Sequence, residues 1–131
     1  MTYRSVPGIM AGADLSSHQY HAVRMDSTAF RVVVMTNANA QKPFGILQDD
    51  PNAANQPADV AYDGVCKAEL GGTITVGADL AVNNDGELIA DVEVADGGAI
   101  DLHHIAVALE AGVDGDIVKV LLHMANRVGL E

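Results

Sequence analysis

The chain has 131 residues, 49% of them hydrophobic but only 4% aromatic, so one domain of ordinary size is expected with a core of Val, Ile, Leu and Ala. Seven basic residues against eighteen acidic ones give a formal charge of -11, which argues against binding phosphate backbones or anionic membranes. Residues 1–10 lack a basic stretch leading into an apolar one, and no run nears the ~18 apolar residues of a membrane span. A soluble product of a cytoplasm is expected.

Residues 1–10, with Pro7 and Gly8 and little pattern, read as an N-terminal arm that orders on binding. The β domain is expected over 11–123, with a tail at 124–131. Gln19–Met25 and Phe30–Met35 read as strands about an Asp26-Ser27-Thr28 turn, with Val32, Val33 and Val34 favouring extended backbone. After a polar loop, Asn37–Lys42, a short strand covers Pro43–Gln48, and its Gly45 signals a bulge or a close backbone approach. Asn52–Ala58 reads as an exposed loop and a contact site.

Val60–Leu70 reads as a strand interrupted at Asp63-Gly64, and Gly71-Gly72 redirects the chain into a further strand, Thr73–Val76. Asn83-Asn84-Asp85-Gly86 between Leu80–Val82 and Glu87–Ala90 is the clearest hairpin signal. Val92–Val94 and the pair Gly97-Gly98 lead into His104–Glu110, where Ile105, Val107 and Leu109 alternate as in a half-buried strand. A short helix over Leu102–Ala111 competes, but the β-branched residues and nearby glycines favour strand. Asp114-Gly115-Asp116 then turns into Ile117–Leu122, making a second hairpin. Gly12-Ala13-Asp14-Leu15 and Gly77-Ala78-Asp79-Leu80 echo one another and suggest one loop geometry used at two corners. The fold class is all-β, a small single-domain barrel or sandwich with short hairpins and an extended N-terminal arm.

Chemistry is sparse. No serine elbow, phosphate loop, dinucleotide fingerprint or paired CxxC occurs, so no catalytic, cofactor-binding or metal residues are assigned and the chain is read as not an enzyme. Cys66, in an alternating apolar segment, reads as a buried inert thiol. His18 and His21 lie three apart, and His103 and His104 are adjacent; on a strand, neither spacing puts both rings on one face, so neither pair chelates without an irregular backbone. His123 stands alone. Asp114/Asp116 and Asn83–Gly86 resemble fragments of calcium loops but lack the full pattern and read as turns. Tyr3, Tyr20, Tyr62, Phe30 and Phe44 are too few for a base-stacking platform; core packing is the simplest role, with Tyr20 and Tyr62 as alternative interface anchors.

Taken in order, Gly12-Ala13-Asp14-Leu15 with Tyr20 following, Pro43–Pro51, Val60–Val65, Val107–Ala111 and Gly115–Leu122 resemble the tailed-bacteriophage capsid decoration (cement) family over roughly residues 8–123. The resemblance lies in the order of many short motifs, since none is specific alone. It implies a small β module on the outer surface of the virion, bound to assembled major capsid protein as a trimer or dimer, stabilising the head, with no nucleic acid, membrane or cofactor. The loop 52–58 and the tail 123–131 depart from the family pattern. Two other readings stay open: a tail-fibre or spike β module, and a small metal-binding barrel of cupin type, for which His103, His104 and Glu110 are the candidate residues.

Overall fold

The computed structural model describes residues 2–36, 42–90 and 105–123. Among these there are ten strands and no helix: β1 (Tyr3–Ser5), β2 (Met10–Ala11), β3 (Ala22–Met25), β4 (Arg31–Val34), β5 (Gly45–Leu47), β6 (Val60–Glu69), β7 (Asp79–Val82), β8 (Leu88–Ala90), β9 (Ala106–Ala108) and β10 (Ile117–His123). They form one sheet in the order β2-β4-β3-β5-β6-β10-β9-β7-β8, with β1 on β6. The all-β, single-domain expectation holds, but the sheet does not close into a barrel.

The long β6 joins two halves. Its start pairs with β5 and β1, and its remainder, Asp63–Glu69, runs antiparallel to β10. Period-two alternation then decides where the apolar side chains go. Ala22, Ile46 and Ala61 are cross-strand neighbours on β3, β5 and β6 and enter one core, together with Cys66, Leu80, Leu88, Val120 and Leu122. Leu47 and Val60, one residue along, are opposite each other and enter a second core with Ile9, Leu15, Val23 and Val32. The middle of the sheet is thus buried on both faces, and Gly45, Ile46 and Leu47 are all buried. That is why this segment shows no apolar–polar alternation.

Several expectations are met. Asp26 Oδ1 accepts the Thr28 N–H, closing the turn before β4, and the carboxylate pairs with Arg31 at 2.6 Å. Gly45 is a close approach, since a Cβ there would lie 2.4 Å from the Ala61 carbonyl oxygen. The β7–β8 hairpin forms with Gly86 at φ +87°, and β9 and β10 pair antiparallel. Strand wins over helix for 106–108, but beyond Ile105 the expected faces are exchanged: Ala106 and Ala108 enter the core, whereas Val107 is half-buried and Leu109 exposed.

Others are corrected. Asp63-Gly64 does not interrupt β6, because Gly64, at φ +104°, is where Thr2 and Tyr3 cross the strand, with the Thr2 oxygen 2.6 Å from a would-be Cβ. Thr73–Val76 is not a strand; only Ile74 makes a bridge, to Gly112, and Val76 is exposed. The two Gly-Ala-Asp-Leu segments do not share a geometry: Gly12 sits against Val33 with no positive φ, whereas Gly77 has φ +87° in open space. Residues 2–10, read as an arm, lie on the domain: β1 pairs with β6, and Val6 donates to the Val60 carbonyl. The loop 52–58 is mainly exposed but pinned, with Asn55 donating to Ala11 O and Ala11 to Gln56 O. No aromatic residue is fully buried, and Phe30 is 54% exposed, so the aromatic side chains border the aliphatic cores and do not fill them. The expected strand at Val92–Val94, the Gly97-Gly98 pair, most of the Asn37–Lys42 loop and most of the 123–131 tail lie outside the described residues.

Candidate functional site

Two places carry side chains beyond the needs of the cores. The first is the outer face of β6, β10 and β9. Alternation along β10 buries Val118, Val120 and Leu122 and turns Ile117, Lys119 and Leu121 outward. Leu121 stands between its cross-strand neighbours Val65 and Val107, and it is 41% exposed; Ile117 and Leu109 are also exposed. Lys119 lies directly opposite Lys67. Like charges across a non-local pair are mildly destabilising, so fold stability does not account for them. The result is an apolar strip with a basic spot, on a chain of net charge -11.

The second is a polar cluster built from three distant segments. Tyr20, at φ +71°, is a non-glycine residue in the left-handed region, and it bends the chain ahead of β3. This irregular backbone overturns the strand-based expectation for the histidine pair: the rings of His18 and His21 meet edge to face, centroids 5.1 Å apart. Burial and the neighbouring His21 hold the His18 imidazole below its usual value. His21 is buried; its Nδ1 is 2.8 Å from the Asp85 carbonyl oxygen in the β7–β8 turn, and its Nε2 is 3.2 Å from Glu69 Oε1 at the end of β6. Glu87 completes the group, with one donor atom from each of His21, Glu69 and Glu87 lying within 4.8 Å of the others. Asn83 steers it, its Oδ1 accepting the Glu87 N–H and its Nδ2 donating to Glu87 Oε1. Backbone bonds Ala22 N to Gly86 O and Glu69 N to Tyr20 O hold the three segments in register. The sequence signal was invisible because 48 and 66 residues separate His21 from its two carboxylates.

The remaining candidates stay dispersed. Cys66 is buried, and burial pushes its thiol up to about 12, which makes it a poor nucleophile. Glu110 is exposed and its Oε1 accepts the Lys119 N–H, while His103 and His104 lie outside the described residues. His123 ends β10 opposite Asp63. Asp116 Oδ2 accepts the Val113 N–H, as a turn aspartate does, and Asp114 is exposed beside it. Tyr20 and Tyr62 are half-buried.

No family model matches the sequence, and no curated protein matches it. A solved structure is similar: the head fibre gp8.5 N base of bacteriophage phi29, with a TM-score of 0.64 and 12% identity, covering 94% of this chain and 96% of that chain. At this identity the likeness is one of fold, and it extends over nearly the whole of both chains.

Proposed function

We propose that this protein is a structural component of a tailed-phage virion, acting as a decoration (cement) module that binds the outer surface of the assembled major capsid protein and stabilises the head. The observation that carries the reading is the near full-length fold likeness to a phage head fibre base, joined to the order of motifs that resembles the cement family. The outer face of β6, β10 and β9 is the surface we assign to the lattice. Its apolar strip supplies area, and the Lys67–Lys119 pair suits an acidic counterpart. Repetition over many equivalent positions would let a standard interface of ~800 Å² per partner stabilise the shell without any one tight contact. Oligomerisation as a trimer or dimer on the shell belongs to the same proposal.

The fold likeness also favours a second reading, the base of a fibre attached to the head. Co-sedimentation of purified protein with expanded heads lacking it, followed by heating, separates the two. Saturation at a copy number commensurate with the lattice, with shells resisting heat, supports the cement role. Binding at a few positions without protection supports a fibre base, and no binding overturns both.

A further inference from the structure

We propose that His21, Glu69 and Glu87 form a binding site for one divalent transition-metal cation of the zinc class, which clips the β7–β8 hairpin to the loop before β3 and to the end of β6. The proposal concerns the stability of the domain and is independent of where the protein docks.

A carbonyl oxygen only accepts, so the His21 nitrogen facing Asp85 O at 2.8 Å, Nδ1, carries a hydrogen. In the neutral imidazole the other nitrogen, Nε2, then presents its lone pair. That lone pair points at the Glu69 carboxylate, with a Glu87 oxygen also within 4.8 Å. Three electron-pair donors converging at a buried ring can be held together by a proton on Nε2, as an imidazolium paired with Glu69, or by a metal cation that all three share; only the metal also engages Glu87. An imidazole whose Nδ1–H is fixed by a backbone carbonyl, leaving Nε2 for the ion, is also the usual way a metal-bound histidine is oriented.

The distances fit. With ligand bonds of about 2.0–2.2 Å, the 3.2 Å gap between Nε2 and Glu69 Oε1 subtends an angle of about 100° at the ion, near tetrahedral. The 4.8 Å limit on the donor set requires only a small inward turn of the Glu87 side chain. One imidazole nitrogen beside two hard carboxylate oxygens is a mixed set, and the nitrogen favours zinc, cobalt or manganese over calcium and magnesium, which prefer all-oxygen shells. Three protein ligands leave a fourth position for water. The hairpin is closely seated: a Cβ on Gly86 would lie 2.5 Å from Ala22 O and 3.2 Å from His21 Cβ, so the turn sits directly on the histidine.

The test uses the full chain stripped with chelator and titrated with zinc, following heat release and thermal unfolding, with cobalt as a spectroscopic probe. The expected result is one equivalent bound, a tetrahedral cobalt spectrum, and a melting temperature raised by about 10 °C at a zinc concentration about 100 times Kd. Glu87→Gln is the informative variant, because Gln retains an oxygen to accept from Asn83 Nδ2 while losing the charge; it should fold normally and lose most of the affinity. Asp114→Asn, in the exposed turn far along the chain, should bind as wild type. Absence of saturable binding, or undiminished binding by folded Glu87→Gln, would overturn the site and leave an imidazolium–carboxylate cluster.

Discussion

Tyr3 Oη donates a 2.5 Å hydrogen bond to Asp59 Oδ2, tying the first strand to a residue 56 positions along the chain. The bond adds to the three paired residues of β1 and to the backbone bonds Val6 N to Val60 O and Val65 N to Thr2 O in fastening a patternless N-terminus to the sheet. Tyr3→Phe should therefore loosen β1 and cost about 1–2 kcal/mol, as for a partly exposed bond to a charged acceptor. Urea unfolding checks the energy, and faster exchange of the Val65 amide, which donates to Thr2 O, locates it. The same bond, reinforced by burial and by the charge of Asp59, pushes the Tyr3 phenol up to about 12 from 10.0. The neutral phenol is the favoured form, so its contribution is complete below pH 10 and disappears as the pH rises through about 12. The difference in tyrosinate absorbance between wild type and Tyr3→Phe should show that late titration.

Strand β5 faces a core on each side, and this makes its adjacent residues equally sensitive. Ile46→Ala and Leu47→Ala should each cost about 2–5 kcal/mol, because one empties the larger core and the other the second. On β10 the consequences should alternate: Leu122→Ala belongs to the same range, whereas Leu121→Ala, at an exposed position, should cost about 0.5–1 kcal/mol. Denaturant midpoints of the four variants measure this, and a tolerant Leu47 would contradict the two-core architecture.

Glycines should sort by what surrounds them. Gly86→Ala combines φ +87° with a Cβ 2.5 Å from the Ala22 carbonyl and should cost about 3 kcal/mol or more. Gly115→Ala has a similar φ of +93° but open space, so about 1–2 kcal/mol of backbone strain is expected. Thermal unfolding of the two proteins separates steric from conformational cost.

Under the proposed cement role, attachment should depend on the outer sheet face while folding does not. Leu121→Lys places a charge between Val65 and Val107, and Lys119→Glu reverses the basic spot beside it. Each should reduce co-sedimentation with phage heads at least tenfold while shifting stability by about 0.5–1 kcal/mol. The charge reversal should also weaken the salt dependence of binding. Undiminished attachment by both variants would move the docking surface elsewhere.

What the sequence determined by itself was local. Asn83-Asn84-Asp85-Gly86 specifies a hairpin because Asn83 Oδ1 can accept the Asp85 and Glu87 N–H groups and Gly86 can take φ +87° without help from the rest of the chain. The β-branched run Ile117–Leu122 after the Asp114-Gly115-Asp116 turn likewise specifies a strand, and the scarcity of aromatic residues specifies an aliphatic core; which of its side chains face inward was decided by the sheet. Tertiary structure decided whatever depends on a distant partner. Asp63-Gly64 looks like a strand break until β1 crosses it, Thr73–Val76 looks like a strand but finds only the Ile74–Gly112 bridge, and residues 2–10 look like an arm but find β6 and Asp59. The His21 cluster belongs to the same class: strand periodicity sets the histidines apart, whereas the left-handed Tyr20 and the seating of Gly86 bring together side chains whose spacing carries no local signal. Short-range preferences act through a residue's own backbone and nearest neighbours, while pairing and convergence are set by long-range burial, which forms only once the two cores do.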